Sequence, residues 1–239
     1  MTPAIRSELS PGGKLRVGVN LGNFLLVTKD PASGELRGVV PDLAQELAQR
    51  LGATVELIGY PGAGQVADAA GAGAWDVGFI GAEPQRAAVI EFTVAYVEIP
   101  ATYLVPPGSP IRSLEEVDRP GIRVATAARS AYDLYLSRNL KHATLVRAEG
   151  IPASYELFVA EKLDALSGLL PRLTSDVNRM PGARILEGRF TAIQQAIGTP
   201  KARTAGAAYL REFVADIKAS GLVAGLIAKH GVKGISVAP

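Results

Sequence analysis

Cysteine is absent from this 239-residue chain. That removes disulfides, thiolate nucleophiles and cysteine-based zinc sites together. It fits an oxidising compartment, where a stray thiol is a liability, without demanding one. Histidine is almost absent too: His142 and His230 lie far apart, each alone. A histidine metal site or a Ser-His-Asp triad is therefore poorly supplied. Both read as solvated helix-end residues. Charge of one sign is missing as well. Lys+Arg 25 against Asp+Glu 23 leaves +2, with no long run of either sign. There is no basic stripe for nucleic acid. No apolar stretch approaches the roughly 20 residues of a membrane span. The stretch from Met1 to Lys14 lacks an apolar h-region, so no secretory signal is read in it.

What is present is an ordinary globular composition, 48% hydrophobic and 20% charged. The length suits one large domain or two small ones. The chain reads as strand–helix alternation. Leu15-Arg16-Val17-Gly18-Val19-Asn20 is a first strand, broken by Leu21-Gly22-Asn23-Phe24. Asn20 and Asn23 suit a ligand at the strand end, and either serves an Asx-type turn equally well. Asp30 to Gly34 is a hairpin tip. Asp42 is expected to cap a helix with a stripe of Leu43, Leu47 and Leu51, ended by Gly52. Thr54 to Ile58 is the next strand. Gly62-Ala63-Gly64-Gln65-Val66-Ala67 matches a dinucleotide fingerprint, but it follows the second strand and no ribose-binding acid is placed for it. Gly12-Gly13-Lys14 lacks the spacing of a P-loop.

The centre of the pattern is Asp76-Val77-Gly78-Phe79-Ile80-Gly81-Ala82-Glu83-Pro84-Gln85-Arg86. It reads as a buried strand that ends at glycine, with Arg86 at its rim. A guanidinium suits a carboxylate because its planar fork donates two parallel hydrogen bonds and stays charged. An ordinary solvated arginine in a first helical turn also fits this stretch taken alone.

A strand at Ala101–Val105 then stops at Pro106-Pro107-Gly108, a place for the chain to change domain. A second alternating pattern follows. Ser113 to Glu116 forms a capping box. The strand Ile122–Thr126 leads through Ala127-Ala128-Arg129-Ser130 into a helix. Backbone N–H groups at that helix start, reinforced by Arg129, would take an anion, while Ser130 equally caps its own helix. A short strand at Leu145–Arg147, helices over 154–163 and 174–180, strands at Asp164–Leu170 and Arg184–Leu186, a crossing strand at Thr191–Lys201, and helices over 207–220 and 223–230 complete the chain. The expected fold is α/β: two lobes, each a mostly parallel sheet flanked by helices, joined by two hinge strands. Lobe 1 would be discontinuous, residues 1–103 with 198–239, and lobe 2 residues 104–197. Ligands in such sheets bind beyond the carboxyl ends of the strands, where Asn20, Gly81 to Arg86, Arg129 and Ser130 fall.

From Lys14 to Gly231 the sequence resembles the family 3 extracellular solute-binding proteins, the amino-acid-binding components of ABC importers. Leu15 to Val19 is similar to the family's opening strand, and Gly34-Glu35-Leu36-Arg37-Gly38-Val39-Val40-Pro41-Asp42-Leu43-Ala44 to its G-x-L-x-G-x-x-x-D-L-A segment. Glu83-Pro84-Gln85-Arg86, then Ile90-Glu91-Phe92-Thr93 and Tyr96, resembles its T-x-E-R…DFS-x-PY signature. Gln194 to Lys201 resembles the return strand. The resemblance implies the type II periplasmic-binding-protein fold, hinge closure on a ligand, a periplasmic location, a membrane ABC permease as partner, and no cofactor or metal. It implies a carboxylate on Arg86, Asn20 facing the ligand, and Thr126 to Ser130 offering amides and a hydroxyl.

Gly81, Glu83, Asn23, Phe24 and Gln194 complete the expected ligand-binding set. Tyr96 and Tyr132 are further candidates for packing on the ligand, and Trp75 reads as core. The family's acid for the ligand's ammonium falls here on Leu169, beside Ser167 and Gly168. Either Glu83 takes that charge or the solute is not a standard α-amino acid. The expected function is capture of a small carboxylate-bearing solute by a monomer, without bond chemistry. The alternatives are a cyclohexadienyl-dehydratase-like enzyme, with Glu83 or Glu149 as acid, and a sensory ligand-binding domain.

Overall fold

The computed structural model describes residues 2–239. In chain order the elements are α1 (Pro3–Leu9), β1 (Lys14–Asn20), β2 (Thr28–Lys29), β3 (Leu36–Arg37), α2 (Val39–Leu51), β4 (Thr54–Tyr60), α3 (Ala63–Gly71), β5 (Val77–Gly81), β6 (Ile90–Val105), β7 (Arg123–Ala127), α4 (Ala131–Asn139), β8 (Thr144–Ala148), α5 (Ile151–Ala160), β9 (Ala165–Leu169), α6 (Leu170–Val177), β10 (Arg184–Ile185), β11 (Thr191–Pro200), α7 (Thr204–Ala219), α8 (Leu222–Lys229) and β12 (Ser236–Val237). Two compact units result: Met1–Glu98 with Gln194–Pro239, and Ile99–Ile193. The chain leaves unit 1 within β6 and returns within β11.

In unit 1, β1 lies between β4 and β5, parallel to both, with Val17 opposite Leu57 and Val77. β11 pairs antiparallel with β5, and β12 with β6. The helices follow from apolar stripes. Leu43, Leu47 and Leu51 are at most 1% exposed on α2, and Leu210, Phe213, Val214 and Ile217 are buried on α7. Each such side chain contributes about 1.5–3 kcal/mol by burial. Trp75 is fully buried and donates from its indole N–H to the Val66 carbonyl at 2.9 Å. A Cβ on Gly18 would stand 2.7 Å from this ring, so that glycine is a packing requirement.

In unit 2, β7 is parallel to β8 and β9, while β9 and β10 each run antiparallel to β6. Two apolar clusters fill it. One joins Tyr103, Val124 and Leu136, and the other joins Leu104, Ala125, Phe158 and Leu166.

Several expectations are corrected. Asp42 does not cap α2: Gly38 holds the N-cap position, and Asp42, in the first turn, accepts from Lys229 Nζ and His230 Nε2. No helix follows Ser113. Glu116 reaches back to Arg112 N–H at 2.6 Å in a turn, ahead of Pro120 and Gly121. The helices expected over 154–163 and 174–180 begin earlier, at Ile151 and Leu170, because Pro152 and Pro171 fit the first helical turn and need no N–H there. α1 was not expected at all. Tyr96 is not a packing surface for a ligand; it is fully buried, edge-on to Phe79 at 5.9 Å.

Candidate functional site

The carboxyl ends of the parallel strands β1, β4 and β5 share one edge of unit 1. Three loops leave it. After β1, Asn20 Oδ1 accepts from Gly22 N–H at 3.0 Å, the Asx turn that its residue type allowed. Gly22 is needed there, since a Cβ would meet the Pro61 carbonyl of the β4 loop at 2.9 Å. Asn23 follows, 5% exposed; its main chain bonds Asn20, Leu26 and Val27, while its buried side-chain Oδ1 has no hydrogen-bond partner. A buried carbonyl without a donor costs about 1–3 kcal/mol. Phe24 beside it is 38% exposed.

The third loop carries Arg86. β5 ends at Gly81, paired with Gln195, and Ala82 N–H donates to the Gln194 carbonyl at 2.8 Å. The Glu83 carbonyl then accepts from both Arg86 and Ala87 N–H at 2.9 Å, which starts a short 3₁₀ turn over Arg86–Ala88. That turn swings the Arg86 side chain back over the strand end, where Nη1 donates to the Gly81 carbonyl at 2.6 Å. Arg86 is 4% exposed and Glu83 9%. The ordinary solvated arginine is thus excluded. Gln194 Nε2 donates to Glu98 at 3.3 Å, so its amide positions that carboxylate beside the loop.

Unit 2 has an equivalent edge, at the carboxyl ends of β7 and β9. Beyond β7, Arg129 adopts a left-handed backbone with φ of 58° and donates its N–H to Asp133 at 2.8 Å. Ser130 caps α4, accepting from Asp133 N–H at 3.1 Å. Asp133, 2% exposed, also takes Arg147 Nε at 3.0 Å. Burial pushes the Tyr132 phenol well above its ordinary range, opposed by its hydrogen bond with Ser130. Thr126, fully buried in β7, has a hydroxyl without a hydrogen-bond partner. At the end of β9, Leu169 is 5% exposed and presents no charge, and within the strand Ser167 Oγ donates to the Ala125 carbonyl at 3.0 Å. Arg172, three residues on, donates to Asp176 at 2.8 Å.

No cluster of His, Cys, Asp and Glu able to hold a metal occurs among the described residues. No helix of the described residues is long and apolar enough to cross a membrane.

The fold is that of the type II periplasmic binding proteins. Residues 15–233 match the model of the bacterial extracellular solute-binding proteins, family 3, and the chain belongs to that family. Solved structures agree on the fold. A mutant of ArgBP from T. maritima superposes with a TM-score of 0.78 at 22% identity, covering 95% of this chain and 99% of that one. A putative ABC-transporter binding component from Wolinella succinogenes, complexed with lysine, gives 0.78 at 21% identity, covering 92% and 97%. An ancestral amino-acid-binding protein, described as a precursor of cyclohexadienyl dehydratase, gives 0.77 at 21% identity, covering 94% and 97%. No curated protein matches the sequence.

Proposed function

We propose that this solute-binding protein captures a small carboxylate-bearing solute, an amino acid or a close analogue, and delivers it to the permease of an ABC importer outside the cytoplasm. The observation that carries the reading is Arg86, 4% exposed at the carboxyl end of a parallel strand, with its guanidinium held by the Gly81 carbonyl. A fork fixed in advance loses little freedom on binding, and its charge-assisted bonds strengthen where water is excluded. Glu83, in the same loop and 9% exposed, is assigned to the solute's ammonium. Asn23, with its unpartnered Oδ1, offers an acceptor at the same edge, and Phe24 an apolar surface.

The neighbouring structures support an amino-acid-like solute, since one is complexed with lysine and another is an ancestral amino-acid-binding protein. A thermal-shift screen over amino acids, keto acids, dicarboxylates and opines tests the proposal. A hit at a hundredfold excess over Kd stabilises by about 2.7 kcal/mol. If no carboxylate shifts the melt, the reading fails. The dehydratase precursor among the neighbours makes prephenate and arogenate turnover the companion assay; no turnover is expected.

A further inference from the structure

We infer that unit 2 carries a second ligand site, apart from the carboxyl edge of its strands, and that it takes a small aromatic amine. The site is a cavity of about 310 Å³ between the last turn of α4, the turn after Ser113 and the residues that lead into β11. All of it belongs to unit 2. α4 starts beside the carboxyl edge, at its Ser130 cap. The cavity meets its other end, at Asn139, about 12 Å along the helix axis. The site does not depend on the carboxylate reading of Arg86.

Three observations define the ligand. First, the floor is apolar. Tyr103 and Leu136, 2% and 1% exposed, close it, and Leu114 and Leu140 line it half-buried. Apolar walls with a few polar groups are the usual make-up of a small-molecule site. Second, one wall is an aromatic row. Phe190 is tilted on Tyr103 with ring centroids 4.6 Å apart, and Tyr135 stacks on Phe190 at 5.9 Å and 24°. The row starts in the core and ends at half-buried Tyr135, so a ligand ring can extend it. Third, the charge that reaches the floor is negative. Asp118 and Glu115 both line the cavity. Burial opposes ionisation of Asp118, but N–H bonds from Ala143, His142 and Lys141, at 2.7–3.0 Å, outweigh it. The Ser113 hydroxyl holds the Glu115 carboxyl below its ordinary range. Burial pushes the Tyr103 phenol up and the charge of Asp118 adds to this, so the field of that carboxylate is felt at the floor. Arg189, the cation among the lining residues, is exposed at the rim, where water weakens its field.

The test is calorimetric titration of 2-phenylethylamine, 2-phenylethanol and n-butylamine into the full chain. The first two share a ring and differ in charge, and the third has the charge without the ring. Phenylethylamine should bind about tenfold more tightly than either of the others, as one charge-assisted contact and one ring contact require. Tyr135→Leu keeps an apolar wall but ends the row, and should weaken phenylethylamine about fivefold. Glu115→Gln alters an exposed side chain, leaves the fold intact, and should cut the lead of phenylethylamine over phenylethanol about threefold. Glu83→Gln combined with Arg86→Ala should leave phenylethylamine binding as in the wild type, since both residues belong to unit 1. Phenylethanol or butylamine binding as tightly as phenylethylamine overturns the assignment. So does loss of phenylethylamine binding in the Glu83/Arg86 variant, which would place it in unit 1. Phenylethylamine binding that survives both Tyr135→Leu and Glu115→Gln unchanged, or that is absent from the wild type, overturns it too.

Discussion

Replacing Asp76 with asparagine should destabilise unit 1 far more than removing any exposed charge. Asp76 is fully buried at the start of the strand that leads to Arg86. Its Oδ2 accepts from Arg16 N–H and Nε, both at 3.0 Å, and its Oδ1 from Arg16 Nη2 and Arg203 Nη1, both at 2.7 Å. Asparagine keeps the shape but turns one oxygen into a donor, so two donors then face an N–H group. Breaking a buried ion pair costs about 3–5 kcal/mol. The Arg16 and Arg203 side chains are 33% and 20% exposed, and water partly replaces the lost partner, which brings the cost to about 2–3 kcal/mol. For a chain of this size that lowers the melting midpoint by about 5–10 °C. Thermal unfolding by near-UV circular dichroism at pH 7 measures it. Glu56→Gln is the control: the Lys14–Glu56 pair has side chains 55% and 48% exposed. Its loss should cost less than about 1 kcal/mol. Equal melting midpoints for Asp76→Asn and the wild type would refute the reasoning, as would a control that costs as much.

Two other substitutions probe the fold. Asp42 sits partly buried, which opposes its ionisation, but bonds from Lys229 and His230 outweigh this and hold its carboxyl below the ordinary range. A depressed folded value means that its contribution is present above the unfolded value, about 3.9, and is lost as pH falls through the folded one. The stability gap between wild type and Asp42→Asn should therefore be open at pH 7 and close on acidification through that window, as urea melts at stepped pH would show. Gly198→Ala places a Cβ 2.4 Å from Ile90 and 3.0 Å from Phe92, so it should cost about 1–3 kcal/mol by overpacking in equilibrium urea unfolding.

Much of the fold was legible because strand–helix alternation leaves strong local signals. The strand ending at Gly81, the Asx turn at Asn20 and the Ser130 cap each depend on residues within a few positions of one another. Errors fell where the partner is distant or the signal double-edged. Asp42 reads as a cap from its neighbours, but its partners lie on α8, 187 and 188 residues away. Helix α1 has little apolar pattern of its own. It is held by Arg203 Nη1 donating to the Glu8 carbonyl at 2.6 Å, and by Glu8 accepting from Gly206 N–H at 2.6 Å on α7. α6 begins at Leu170, ahead of the helix expected over 174–180, because Pro171 fits the first turn of a helix. Burial of Arg86 was not legible either. It depends on a 3₁₀ turn set by the Glu83 carbonyl, which no residue pattern announces.

The most direct test of Arg86 as carboxylate holder compares one solute in two forms. The strongest hit of the screen and its carboxamide, identical except for that group, are titrated by calorimetry into the wild type and Arg86→Lys. A bidentate charge-assisted contact of about 3 kcal/mol corresponds to roughly a hundredfold in Kd. The carboxamide should therefore bind the wild type about a hundredfold more weakly, and Arg86→Lys should remove most of that gap. A carboxamide that binds the wild type within about threefold of the acid would contradict it.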